Sequence, residues 1–190
     1  MVVRGAILAL SLSLVLASGA MAAELDALVG EGRAAIKGFG MSLKAELVAA
    51  MKAGGPVNAL GVCNVVAPGI AAERSIAYHG RVGRTSLKRR NAANAPDGWE
   101  IDVLNSFEAR KAAGEDVKTL DYAAIVTENG ARIFRYMKAI PTAEVCTKCH
   151  GTAIAPEVVV AIDELYPTDR ARGFKVGDIR GGFTLRKVLD

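Results

Sequence analysis

The chain has 190 residues, with 24 Lys and Arg against 20 Asp and Glu and a formal net charge of +4. A balance that small, with only 5% aromatics, gives neither the electrostatic footprint nor the stacking surface of a nucleic-acid binder. The length suits one domain with a core of ordinary size.

The opening stretch, MVVRGAILALSLSLVLASGAMAAE, sets Arg4 before an apolar run from Ala6 to Leu16, then small residues ending at Ala20-Met21-Ala22. This is the order of a secretory signal with an A-x-A cleavage site, and the run is shorter than the roughly 20 residues of a spanning helix. The expectation is a signal peptide over 1–22, cleaved after about Ala22. It leaves residues 23–190 as a single periplasmic domain with no stable membrane insertion; an uncleaved anchor is the competing reading.

From Glu24 to Ala53 apolar residues recur at three- and four-residue steps (Leu25, Leu28, Val29, Ile36, Phe39, Leu43, Leu47, Met51), which predicts a long amphipathic helix. Glycines 30, 32, 38 and 40 weaken it by about 1 kcal/mol each relative to alanine, so a close approach is expected along that face. Gly54-Gly55-Pro56 ends it. Pro56 and Pro68 each open a further short helix, the second closed by Gly80.

RVGRTSLK, 81–88, has strand content, and RRNAANAPDG, 89–98, reads as a loop. A helix follows from the capping Asp97, with Trp99, Val103, Leu104 and Phe107 on one face. Asn129-Gly130 then divides residues 120–140 into a hairpin. A helix at 156–167 and a last strand within 177–189 complete the chain. The fold class is α+β, a small antiparallel sheet flanked by helices.

Between the hairpin and the last helix lies EVCTKCHG, with Cys146, Cys149 and His150 in the C-x-x-C-H spacing of covalent haem attachment. Two cysteines three apart on a helix lie one turn from each other, so both sulfurs reach one edge of the macrocycle. His150 then falls beneath the iron as proximal ligand. A redox dithiol does not need the adjacent histidine. Zinc would want four ligands, where only Cys63 and His79 remain. The cofactor expected is therefore one covalent haem c.

The other axial position is open to few residues. His79 ends a helix before Gly80, where a C-terminal cation and a capping glycine already account for it. Met41, Met51 and Met137 sit on apolar faces as core filler, and Lys148 is placed in solvent. Cys63, the third and unpaired cysteine, reads alone as a small buried hydrophobe. Against that reading, a free thiol in an oxidising compartment needs protection, and ferric iron accepts thiolate. In the cluster from Arg84 to Arg90, Arg84, Lys88, Arg89 or Arg90 could pair a propionate or simply be solvated.

The blocks CNVVAP (63–68), RTSLKRRNAANAPDGWE (84–100), CTKCHG (146–151) and GDIRGG (177–182) make the chain resemble a family of exported c-type haem domains with a PAS-like fold. That family, of unknown function, occurs alone or as the sensing part of bacterial signalling proteins. The resemblance implies iron held by His150 together with Cys63; the residues themselves leave His79 as the alternative to Cys63, and the periodicity from Glu24 to Ala53 supplies the long N-terminal helix of the fold. The resemblance also implies redox sensing or low-potential electron transfer with an unidentified redox or signalling partner. Substrate turnover is the weaker expectation, since a six-coordinate iron has no open position. The competing class is a haem enzyme or gas-binding module with a labile or absent sixth ligand.

Overall fold

Residues 7–189 are described by the computed structural model, so Arg4 of the signal reading lies outside the described residues. Helix α1 runs from Ile7 to Gly61 and bends at Gly54 and Gly55, where the backbone leaves helical geometry and Gly55 takes φ 70°. The predicted stop is thus a kink, after which Pro56 restarts the helix in its first turn. Five residues of wider π turn, Val62–Val66, follow, and α2 (Ala67–Tyr78) continues from them. The two short helices expected from Pro56 and Pro68 are therefore one run joined by the π turn. His79 caps it in the left-handed region.

Strand β1 (Arg81–Thr85), helix α3 (Gly98–Ala112), strands β2 (Asp121–Glu128) and β3 (Ala131–Pro141), helices α4 (Glu144–His150) and α5 (Pro156–Leu165) and strand β4 (Ile179–Leu189) complete the fold. The sheet is antiparallel throughout, in the order β1-β4-β3-β2. Asn129 and Gly130 both have positive φ, as a two-residue hairpin requires. Asp97 and Glu100 form a reciprocal capping box that starts α3. The expected PAS-like α+β arrangement is present, with the long helix against the sheet.

Both faces of β3 are buried because helices cover both sides of the sheet. Phe134 and Tyr136 point with Leu185 and Val82 toward Leu28, Ile36 and Phe39 of α1. The alternate residues Met137 and Ala139 meet Val103, Leu104 and Phe107 of α3. Two of the α1 glycines mark the close approach: a Cβ at Gly32 would sit 3.2 Å from Leu185 and Tyr136, and one at Gly40 3.2 Å from Phe183. A third, smaller cluster joins Leu60 at the end of α1 to Val158 and Ile162 of α5, with Cys149 packed on it. This contact brings the end of α1, three residues before Cys63, against the helices that follow the sheet.

Candidate functional site

Helix α4 is only seven residues long, too short to hold its own geometry, so its surroundings must fix it. The segment after α5 does so. The amides of Phe174 and Gly173 donate to the carbonyls of His150 and Gly151, each at 2.9 Å. Arg90, buried from β1's side, donates to the Cys149 carbonyl at 2.6 Å and to the Ala171 carbonyl at 3.3 Å. Its Nε lies 3.0 Å from Asp169, whose own side chain is 1% exposed. One guanidinium thus ties the loop, the short helix and the 169–171 turn together.

The His150 ring is oriented by a single contact. Nδ1 lies 2.7 Å from the Ala171 carbonyl, which can only accept, so Nδ1 carries the proton and Nε2 keeps its lone pair. Phe174 stands edge-on to the ring, with centroids 6.3 Å apart. Burial lowers the imidazole pKa to about 3, helped by the positive charges of Arg180 and Arg90, so the ring is neutral at physiological pH. A neutral imidazole with one nitrogen held by a carbonyl and the other free is the state a metal ligand requires.

Cys146 and Cys149 are both half-buried on α4. Burial raises the Cys149 thiol; Arg90 pulls it down, and Cys63 and Cys146 push it further up. Both other cysteines therefore lie within electrostatic reach of Cys149. Cys63 sits in the π turn and lines a cleft of about 230 Å³ with Phe39, Pro68, Arg84 and Asn94. A π turn of this kind displaces one residue from the helix repeat, and such turns recur at functional sites. Among the described residues no three His, Cys, Asp or Glu side chains converge on one point as a bare ion needs.

His79 lies elsewhere. It is exposed at the far end of α2, beside the Arg81–Arg186 end of the sheet, whereas Cys63 faces Arg84 near the other end. Met137 is fully buried in the α3 cluster, and Met41 is exposed. Of the basic cluster, Arg90 is held by Asp169 and two carbonyls. Lys88 lies with Arg180 over the Phe174 ring, at 5.4 and 5.2 Å from its centroid.

The sequence reading missed two residues that the structure places here. Arg180, from GDIRGG, is surrounded by the site; burial lowers its pKa to about 10, assisted by Arg90 and Arg84. Tyr166, just past α5, lies within reach of Cys63, Arg90 and Arg84 and is raised by burial to about 12. No local sequence signal marks the role of either, because both depend on where β4 begins and α5 ends.

The sequence pattern of the Tll0287-like family matches residues 15–187. The chain belongs to that family. The crystal structure of the cyanobacterial heme-protein Tll0287 superposes with a TM-score of 0.65 at 22% identity, covering 85% of this chain and 95% of that one. At that identity the likeness is one of fold. No curated protein is similar enough to this chain to match it.

Proposed function

We propose that this chain is a periplasmic c-type haem protein, acting in redox sensing or low-potential electron transfer. Cys146 and Cys149 carry the thioethers, and His150 and Cys63 are the axial ligands of one haem. A haem held there supplies one-electron chemistry at its iron; the chain's residues orient it and set its electrostatics. The observation that carries the reading is the His150 Nδ1–H bond to the Ala171 carbonyl at 2.7 Å, on the helix that bears both attachment cysteines. It leaves Nε2 as the only ring atom able to bind a metal. Membership of a family that includes a structure described as a heme-protein supports the same reading.

Cys63 is favoured over His79 as second ligand by its place among the same charges as α4, while His79 lies exposed at the opposite end of α2. Two axial ligands leave no position for substrate, which favours electron transfer or sensing over turnover. Export follows the signal reading. Among the described residues the first buried core position of α1 is Leu28, which lies beyond a cleavage after about Ala22.

The test is expression with an export signal and a c-type maturation system, followed by denaturing electrophoresis and haem staining. The proposal expects a red, stained band and a mature N-terminus at about Ala23. A Cys146→Ala/Cys149→Ala variant should lose the band's colour. A wild-type band that stays pale after maturation would end the reading.

A further inference from the structure

At the site Arg90 is paired to Asp169, while two further guanidinium groups, Arg84 and Arg180, have no ion pair among the described residues. Asp169 is already satisfied by Arg90 at 3.0 Å, by Arg172 at 2.8 Å and by the Ala171 amide at 2.9 Å. Arg90 is likewise fully engaged. Arg84 and Arg180 are not. Among the described residues the Arg84 guanidinium has neither an ion pair nor a hydrogen bond. Arg180 donates to the Ser86 hydroxyl and the Lys88 carbonyl, both at 3.2 Å, and among the described residues has no carboxylate partner, unlike Arg135 and Arg90.

Arg84 and Arg180 are half-buried, and a cation partly removed from water without counter-charge is costly unless a ligand brings the opposite charge. The surplus here is two positive charges, one on β1 lining the same cleft as Cys63 and one at the start of β4 over the Phe174 ring that stands against His150. A haem carries two carboxylates.

We propose that Arg84 and Arg180 form the carboxylate-binding end of the site and hold the two haem propionates, while Arg90 holds the protein to itself. This rests on the haem reading above and adds to it a choice among the basic residues. Arg90 is excluded by its bonds to Asp169, Cys149 and Ala171; Lys88, which shares the Phe174 ring with Arg180, is an exposed ammonium without a guanidinium fork. Planar guanidinium forks suit carboxylates, and the partly free Arg180 and wholly free Arg84 leave such forks available. Neither arginine touches the expected axial ligands by hydrogen bond, so their role is to position and neutralise the cofactor.

The test compares Arg84→Gln, Arg180→Gln and Lys88→Gln with wild type as matured holoprotein, reading the propionate bending bands of the resonance Raman spectrum. The two arginine variants should each shift or broaden a propionate band, and Lys88→Gln should leave both bands in place. Arg84→Lys and Arg180→Lys, which keep charge but not the fork, should shift the same bands by less; they also serve if a Gln variant fails to fold. Unchanged bands in both arginine variants, with covalent haem present, would overturn the assignment while leaving the haem reading intact. A wild-type holoprotein that shows no haem bands at all would sink the haem reading itself, and this proposal with it.

Discussion

Two buried arginine clusters lie on this small sheet, and they are built in opposite ways. Under α3, Arg135 is surrounded by acid: Asp97 at 2.6 Å, Glu128 at 3.2 Å and Glu100 at 3.7 Å, with the Trp99 ring 4.4 Å away. Glu100 in turn accepts from the Thr184 hydroxyl at 2.7 Å, and Glu128 also takes Arg186 at 2.9 Å. Near α4, Asp169 is taken by Arg90 and Arg172, and among the described residues Arg84 and Arg180 have no carboxylate partner. The first cluster is closed within the protein, and its charges specify how α3 docks. The second carries an excess of one sign, which is how a folded chain keeps a place for a charged ligand.

The contrast makes opposite predictions for similar substitutions. Arg135→Met leaves Glu100, 4% exposed, buried without its cation, and should cost about 3–5 kcal/mol in denaturant unfolding. Arg84→Met, made in a Cys146→Ala/Cys149→Ala background that cannot attach haem, removes an uncompensated charge. It should leave stability unchanged or raise it. Equal losses at the two positions would show that both clusters are structural.

Acid should distinguish the clusters less sharply, because each contains a depressed carboxyl. Burial pushes Asp97 up, but the Arg135 hydrogen bond, the Glu100 amide and the charges of Arg135 and Arg81 outweigh it and hold the carboxyl below its ordinary range. Asp169 is lowered the same way, burial being outweighed by Arg90, Arg172 and the Ala171 amide. The unfolded chain therefore takes up these protons first. Their stabilisation is complete above about pH 4 and is lost as pH falls through the lower folded values. Asp97→Asn should flatten part of that acid limb in unfolding curves recorded from about pH 5 to pH 2. A variant that is as acid-sensitive as wild type would place the depressed group elsewhere.

Much of the fold was legible because its signals are local. Asp97 stands as a cap before an apolar run, and Asn129-Gly130 separates two strand-like segments; both signals act through neighbouring backbone and both appear as expected, Glu100 adding the reciprocal half of the cap. Glycines 32 and 40 gave notice of a close packing surface without saying what packs there; Tyr136, Leu185 and Phe183 are distant in sequence. The π turn was not legible. Pro68 reads as the start of a helix, yet the chain reaches it already helical from Gly61, and Val62–Val66 absorbs one extra residue. The candidate site divides along the same line. C-x-x-C-H is a local pattern, whereas the choice of Arg84 and Arg180 over Arg90 depends on Asp169, 79 residues beyond Arg90, and on Ala171.

The most direct test of the account is the identity of the second axial ligand. Cys63→Ala and His79→Ala are prepared as matured holoproteins, with ferric electron paramagnetic resonance and the reduced optical spectrum recorded for each. Cys63→Ala should lose the wild-type low-spin ferric signal, because the π turn then presents no thiolate, and should have a higher midpoint potential, since an anionic ligand stabilises ferric iron. His79→Ala should match wild type in both. A Cys63→Ala protein that keeps the wild-type low-spin spectrum, beside a His79→Ala protein that turns high-spin, would contradict the account.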